Sequence, residues 1–273
     1  MKIAVIPNIE KSGVKKITNA VIERLKSKGA EVYAFLDGFS DDLLSQNNLY
    51  KICDVIITVG GDGTIIKYAK EAALFNKSVL GINAGRLGFL ADVEKDNLEL
   101  LDRLVCGDYE ISERFMLCAK VYSKDKLVAE GVALNDAVLT TGGITRLIDI
   151  DLEISSDIIN YRADGIIVAT PTGSTAYSMS AGGPIIEPSV RCFAVTPICS
   201  HSLTARPLIV GENSKLIIKL PRESEEMAIF SLDGKFISNV DCDTRIEIEK
   251  AQYDARLINL SKNAIYKTLS LKF

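Results

Sequence analysis

Histidine is almost missing from this sequence: His201 is the only one in 273 residues. That excludes any site built from two histidines, an H-E-x-x-H zinc motif included. A Ser-His-Asp triad would have to use His201, and no nucleophile-elbow pattern lies near it. His201 reads as a local hydrogen-bonding or packing residue. The six cysteines (Cys53, Cys106, Cys118, Cys192, Cys199 and Cys242) form no C-x-x-C pair. Most fall inside apolar runs and read as reduced core thiols, not as metal ligands or disulfides. No run of about 20 apolar residues occurs, so no transmembrane helix is expected. The opening Met1–Pro7 is too short an apolar run for a signal peptide and reads as a first strand. A cytoplasmic protein without membrane contact is the expectation. An excess of positive charge is also lacking: the formal net charge is −4, which argues against a dedicated nucleic-acid surface. The longest basic cluster (Lys11, Lys15, Lys16, Arg24, Lys26, Lys28) is mixed with apolar residues at helical spacing and reads as the solvated face of a helix.

What is present is ordinary for a globular chain, with 47% hydrophobic and 25% charged residues. The length fits one large domain or two ordinary ones. Residues 2–6 read as a strand. Val14, Ile17, Val21, Ile22 and Leu25 follow at helical spacing and Gly29 ends that helix. Glu31–Leu36 reads as a second strand, so the chain opens as a parallel α/β unit. Its first turn carries no G-x-G-x-x-G, so an ordinary dinucleotide site is not expected there. From about residue 110 helical periodicity fades. Short β-rich runs follow: 115–122, 132–140, 147–154, 165–170, 192–196, 216–220, 227–232 and 244–249. Such runs, separated by turn residues, predict an antiparallel sandwich or layered β domain. No Pro/Ser-rich linker marks the join near residue 109, and a cleft between domains is a common place for a small ligand.

Gly60-Gly61-Asp62-Gly63-Thr64 stands out from this background. It follows the apolar run Asp54–Val59 and precedes the helical stretch Ile65–Leu74. A strand end leading into a helix start is where open α/β sheets bind ligands. Free N–H groups and the helix dipole suit a phosphate. The acid is the odd member, because a carboxylate repels a bare phosphate. Asp62 therefore implies a proton to be accepted or a metal ion to be held; the plainer reading is a helix cap. A second loop, Ala84-Gly85-Arg86-Leu87-Gly88-Phe89-Leu90, follows the strand Ser78–Asn83. Leu87 and Phe89 there either line a ligand's apolar part or simply pack. In the later domain, Leu134-Asn135-Asp136 puts an amide beside a carboxylate within an apolar run. A bulge or strand end could turn both to one ligand, and a local Asx turn is the alternative. The stretch Arg162–Pro184 ends a strand at Thr170-Pro171 and opens a short hydroxyl-rich helix, stopped by Gly182-Gly183-Pro184. Ser174, Thr175 and Ser180 can read a ribose or base edge, and Tyr177 offers a flat face for stacking.

At these residues the chain resembles the NAD kinase family, the ATP-dependent NAD 2′-phosphotransferases. Gly60–Thr64 alone also resembles diacylglycerol and sphingosine lipid kinases and phosphofructokinases. The combination with Asn83–Leu90, Leu134–Asp136 and Asp164–Pro184, in the family's order and at similar spacing, is what distinguishes it. The resemblance implies a Rossmann-like α/β N-terminal domain (1–109), a β-rich C-terminal domain (110–261), and a return of the chain end (262–273) to the first. It implies transfer of the γ-phosphate of ATP to the adenosine-ribose 2′-hydroxyl of NAD, with a divalent cation such as Mg²⁺, in a homo-oligomer, dimer or tetramer.

By the same resemblance, Asp62 is the proton acceptor, with Gly63 beside it and Lys67 a basic contact one helical turn on. Gly60, Gly61, Gly63 and Thr64 form the phosphate loop, and Leu87 and Phe89 flank the ligand. Asn135 and Asp136 match the family's NAD-binding pair. Arg146 and Arg162 fall where basic residues touch ligand, and Asp164 matches an acidic contact. Thr172, Thr175, Ala176, Tyr177, Ser178, Met179 and Ser180 surround the nucleotide. Where many bacterial members have Asp-x-Gln, this chain has Asp233-Gly234-Lys235, which leaves the role of Lys235 open. Phosphoryl transfer needs in-line positioning and charge neutralisation more than covalent chemistry, so a near-absence of histidine is compatible. The alternatives are a lipid kinase sharing Gly60–Thr64 and a non-catalytic NAD(H)-binding regulator.

Overall fold

The computed structural model describes all residues except 35–45, 86–87, 144–146, 203, 222–226, 262–267 and 271–273. Leu87, Arg146 and most of the expected 262–273 return therefore lie outside the described residues. Two compact units are present, one made of Met1–Glu113 with Ala255–Phe273, the other of Arg114–Asp254. In this division the chain re-enters the first unit at Ala255, ahead of the Lys262 expected from sequence.

The first unit runs β1 (Lys2–Pro7), α1 (Val14–Ser27), β2 (Glu31–Ala34), α2 (Gln46–Ile52), β3 (Val55–Gly60), α3 (Asp62–Ala73), β4 (Ser78–Asn83), β5 (Val93–Glu94), α4 (Leu101–Val105) and β6 (Glu110–Arg114). A late strand, Ala255–Asn259, joins its sheet, whose order is β2-β1-β3-β4-late strand-β6, with β5 beside the end of β4. The pairs β1–β2, β1–β3, β3–β4 and β4–late strand are parallel. Strands β3 and β4 are buried along their whole length, as continuous apolar runs with both faces covered must be. Leu80 and Ile82 share a core with Val14, Val21 and Leu25 of α1 and Leu101 and Leu104 of α4. Gly81, between them, faces the other way. A Cβ there would stand 2.4 Å from Ile65 Cδ1 of α3, so the glycine lets α3 lie close on the sheet. Helix α2 was not expected; its roughly two turns, Gln46–Ile52, are too short to show periodicity.

The second unit runs β7 (Leu117–Ser123), β8 (Lys126–Ala133), β9 (Asp136–Thr141), β10 (Ile148–Ile154), β11 (Asp157–Ala163), β12 (Gly165–Ala169), α5 (Tyr177–Ser180), β13 (Cys192–Ile198), β14 (Leu208–Gly211), β15 (Leu216–Lys219), β16 (Ala228–Leu232), β17 (Lys235–Val240) and β18 (Thr244–Lys250); Ala255–Asn259 is then β19. Two sheets result among the described residues, β11-β10-β15-β18-β7-β8 and β14-β13-β12-β9-β16-β17, both antiparallel throughout. One core joins them. Ile150, Leu152, Ile218, Ile246 and Ile248 of the first sheet meet Leu139, Val168, Val195 and Phe230 of the second. The expected sandwich is present. The single run expected over 132–140 is two strands, broken at Leu134-Asn135.

Arg191 ties strands of this unit together at their ends. It sits 2.7 Å from Glu212 and 2.8 Å from Asp254, with its guanidinium carbon 5.4 Å from the centre of the Phe115 ring. The Lys250 ammonium and then the Arg191 guanidinium hold the Glu212 carboxyl below its ordinary range. A carboxylate depressed in the folded state stabilises fully above its unfolded value, about pH 4.3, and less as pH falls through the folded one. Arg191→Met is therefore expected to lower the urea midpoint at neutral pH and to flatten its fall below about pH 5. Wild-type and variant midpoints that run parallel from pH 7 to about pH 3 would contradict this pairing.

Of the cysteines, Cys53 and Cys192 are core thiols as expected, but Cys106 and Cys199 are exposed. Apolar neighbours in sequence did not decide burial at these two. Cys106 caps a short helix and Cys199 has a left-handed φ of 47° just past β13.

Candidate active site

Strand β3 ends at Gly60 and α3 begins at Asp62, with Gly61 as its cap residue and no side-chain cap hydrogen bond. Asp62 is thus not the helix cap. Its carboxylate turns to the second loop, where Oδ2 accepts the Phe89 N–H at 2.9 Å and Oδ1 the Leu90 N–H at 3.3 Å. Gly88 makes this approach possible, since a Cβ there would lie 2.0 Å from Asp62 Oδ1. The loop is braced at its base by Asn83, which is 1% exposed. The Asn83 amide donates to Glu94, and its carbonyl accepts from Gly85 N at 2.9 Å. Each carboxylate oxygen offers about two acceptor positions, so Asp62 is oriented by the loop and keeps acceptor capacity for another group.

The glycines allow other close approaches. A Cβ on Gly60 would meet Thr64 Oγ1 at 2.6 Å, and one on Gly61 would meet Lys11 Nζ at 2.7 Å. The Lys11 ammonium therefore stands over the loop, before α1 begins. This corrects the reading of Lys11 as part of a solvated helix face, which helical spacing within 11–28 had encouraged. Arg24 and Lys28 of that cluster do lie on the helix and its end, and both pair with Asp102 at 2.8 Å. Asn8 donates to Thr64 Oγ1 at 3.2 Å. Beside these groups is a cavity of about 310 Å³ lined by Asn8, Glu10, Gly63, Thr64, Lys67 and Tyr68, among others. The Lys67 ammonium lies 4.8 Å from the centre of the Tyr68 ring. The first unit thus gathers Gly60, Gly61, Asp62, Gly63, Thr64, Lys67 and Phe89 around one loop, with Lys11 and Asn8 added by the structure.

In the second unit, the start of β9, the end of β12 and the β16–β17 turn lie at one end of a sheet, with Asp136 opposite Ala169 and Ala137 opposite Leu232. Asn135 and Asp136 sit there, Asp136 being 5% exposed. The Asn135 side-chain amide has no hydrogen-bond partner among the described residues. The Thr172 hydroxyl, on a residue 5% exposed, is likewise unpartnered. Gly173 packs against Asn135: a Cβ on it would lie 2.0 Å from the Asn135 carbonyl oxygen. Lys235 follows the turn as an exposed residue.

Helix α5 lies along β12 and carries Tyr177 towards the opposite end of that strand. There Tyr177, Asp164, Thr140, Thr141, Leu147 and Ile198 line a cavity of about 410 Å³. Tyr177 is 44% exposed, an open aromatic face suited to stacking. The Asp164 backbone is fixed by Thr141 N–H donating to its carbonyl at 3.0 Å and by its own N–H donating to Ile198 O at 2.9 Å.

Three of the expected hydroxyls are engaged within the protein. Ser174 donates to Pro171 O at 2.6 Å and accepts from Ile186 N at 2.9 Å. Ser178 bonds Thr196 at 3.0 Å; both serines are fully buried. Thr175 donates to Thr172 O at 3.3 Å. Ala176 and Met179 are half-buried and Ser180 is exposed. Arg162 stands apart from this cavity's lining, on an exposed face with Asp149 at 4.0 Å.

Matches to known proteins agree with this arrangement of loops and sheets. Residues 42–109 match the ATP-NAD kinase N-terminal domain and residues 134–260 the ATP-NAD kinase C-terminal domain. The chain belongs to the NAD kinase family. The NAD kinase of Ruminiclostridium cellulolyticum is 38% identical, covering 99% of this chain and 97% of that protein. The NAD kinase of Symbiobacterium thermophilum is also 38% identical, covering 99% and 98%. Among solved structures, an NAD kinase from Archaeoglobus fulgidus in complex with ATP aligns with a TM-score of 0.75 at 28% identity, over all of this chain and 98% of that one. Yeast NADH kinase complexed with NADH shares the fold, with a TM-score of 0.85 over all of this chain and 88% of that one, at 24% identity.

As an NAD kinase the chain carries site features that its sequence did not announce. Lys11 and Asn8 lie far from Gly60–Thr64 in sequence, and no pattern joins them. Gly88 and Gly173 read as ordinary loop glycines; only the atoms they face show why a side chain is excluded. Thr140 and Leu147 fall within runs read as strands and Thr141 and Ile198 just past such runs; strand ends bring all four to Tyr177. Among the described residues no three His, Cys, Asp or Glu side chains gather into a metal-holding cluster.

Proposed function

We propose that this chain catalyses transfer of the γ-phosphoryl group of ATP to the adenosine-ribose 2′-hydroxyl of NAD, with Asp62 as the proton acceptor. The 2′-oxygen forms a bond to the γ-phosphorus, the bond from that phosphorus to the β,γ-bridging oxygen breaks, and ADP leaves. The hydroxyl proton passes to Asp62. The observation that carries this reading is the Asp62 carboxylate, aimed by two backbone N–H groups at the strand-to-helix turn of a chain in this family. An aspartate is a weak base, so its position matters more than its basicity. Phosphoryl transfer draws on positioning and electrostatics in the same way.

The glycine N–H groups, Lys11 and Lys67 serve the donor phosphates. A divalent cation carried by those phosphates supplies charge neutralisation, with Asp62 the carboxylate nearest the loop. Asn135, Asp136 and Thr172 hold NAD by polar contacts, and Asp164 and Tyr177 take a second part of the same nucleotide by hydrogen bonding and stacking. The unpartnered hydroxyl of the buried Thr172 supports this assignment, since a buried polar group in a folded protein normally finds a partner. The working form is taken to be a homo-oligomer, dimer or tetramer, as the resemblance implies, and to be cytoplasmic.

The test is direct. Purified protein with NAD, ATP and Mg²⁺ should form NADP and ADP in equal amounts, and should leave diacylglycerol unphosphorylated in a parallel reaction. Folded protein that makes no NADP would sink the proposal.

A further inference from the structure

The Leu134–Asp136 segment is held almost wholly through its backbone, and one residue, Asp233, does most of the holding. The Asp233 carboxylate accepts three consecutive N–H groups: Leu134 at 3.1 Å on Oδ2, Asn135 at 2.7 Å and Asp136 at 3.2 Å on Oδ1. Asp233 N–H in turn donates to Asp136 O at 3.0 Å. The remaining carbonyls are taken by Thr170, whose hydroxyl donates to Leu134 O and whose N–H donates to Asn135 O at 2.8 Å. Every backbone donor and acceptor of Leu134, Asn135 and Asp136 is thus matched within the protein. What the segment can offer a ligand is its side chains.

The plain reading of Asp233 is as a turn residue. Leu232 pairs with Lys235 across a two-residue hairpin, with φ of 47° at Asp233 and 73° at Gly234. Asp-Gly suits such a turn because both central residues need positive φ. Turn formation, however, needs only the backbone conformation of Asp233. It does not require a carboxylate that reaches a different strand and gathers three of its amides. A carboxylate accepting several N–H groups makes charge-assisted bonds, which are stronger than neutral ones.

We propose that Asp233 is a positioning residue for NAD, fixing the Asn135–Asp136 pair by clamping its backbone. This rests on the reading that Asn135 and Asp136 bind NAD. It also assigns the acidic member of Asp233-Gly234-Lys235 a task that is independent of the Lys235 side chain.

The hairpin itself supplies a clean test. Asn-Gly and Gly-Gly form the same turn as Asp-Gly, so Asp233→Asn and Asp233→Gly keep the turn and change only what reaches Leu134–Asp136. Asn retains one acceptor oxygen and opposes the other amide with its own NH₂; Gly removes the clamp. The readouts are calorimetric NAD affinity without ATP, KM and kcat for each substrate, thermal midpoint, and hydrogen exchange at amides 134–136. We expect NAD affinity to fall about tenfold in Asp233→Asn and further in Asp233→Gly, with faster exchange at 134–136. The KM for ATP and kcat should stay within about twofold, the split expected when only binding is lost.

Unchanged NAD affinity in both variants, with loosened amides, would overturn the proposal and leave Asp233 a structural residue. So would a joint fall of NAD affinity, ATP KM, kcat and thermal midpoint. A wild-type chain that binds no NAD overturns this inference and the proposed function together; normal wild-type binding with unaffected variants overturns this inference alone.

Discussion

Asp62→Asn is expected to lower turnover by about 10²- to 10⁴-fold, the range a positioned general base contributes, while NAD affinity stays within a few-fold of wild type. The asparagine is nearly isosteric. Its carbonyl oxygen can still accept one of the Phe89 and Leu90 N–H groups that now meet Oδ2 and Oδ1. The loop is therefore expected to stay in place. What is lost is the capacity to take the 2′-hydroxyl proton and the negative charge beside the phosphates. Single-turnover NADP formation gives the chemical step, and calorimetric titration with NAD gives the affinity. A variant with near-normal kcat would remove Asp62 from the base role. A large loss of affinity with an unchanged chemical step would make it a binding residue.

Gly173→Ala is expected to be the most damaging of the glycine substitutions in the second unit's site. The added Cβ would lie 2.0 Å from the Asn135 carbonyl oxygen, 2.5 Å from its carbonyl carbon and 2.7 Å from its Cα. All three are backbone atoms, so no rotation of a side chain relieves the contact. Asn135 O is also the acceptor of Thr170 N–H, so moving it away disturbs that bond too. Overpacking of this kind costs about 1–3 kcal/mol and occasionally more. For a unit of this size that lowers the thermal midpoint by several degrees, on the order of 2–4 °C per kcal/mol. NAD affinity should fall with it, because the displaced residue is one that the proposed function places on NAD. Gly63→Ala is the contrast, since a Cβ there meets nothing within 4 Å. Equal thermal midpoints and NAD affinities for Gly173→Ala and wild type would refute the argument.

These effects also mark where sequence was informative. Gly60–Thr64 was readable as a strand end leading into a helix because the apolar run before it and the helical spacing after it are both long. The interruption at Leu134–Asp136 was readable because two polar residues break an apolar run, and it proved to be the gap between β8 and β9. The sandwich was readable from alternation such as Ile148–Ile154, whose inward residues Ile148, Ile150 and Leu152 are all in the core.

The strands β11, β14 and β17 were not anticipated, and each has a physical reason. Asp157–Ala163 and Lys235–Val240 are edge strands with few buried positions, so their apolar pattern is weak. Leu208–Gly211 is a four-residue edge strand. The Asp233 clamp was hidden for a different reason. Asp-Gly is a sufficient explanation of a hairpin, and nothing local indicates that the same carboxylate serves amides about a hundred positions earlier. Contacts of that kind depend on which strand ends a topology brings together.

Strand β19 has a consequence for how the molecule is made. It lies between β4 and β6 in the parallel sheet and supplies Ile258 to that unit's core. During synthesis, the first 113 residues leave the ribosome without it. The whole of Arg114–Asp254 is translated in between, an interval of roughly seven to thirty seconds at elongation rates of about 5–20 residues per second. Throughout that interval the edge of β4 that β19 will cover is open, and an open edge is a template for pairing with other chains. The β sandwich is contiguous in sequence and has no such wait. The order of completion is thus the reverse of the order of translation: the unit begun first is closed last, and the loop that carries Asp62 is part of the unit that must wait.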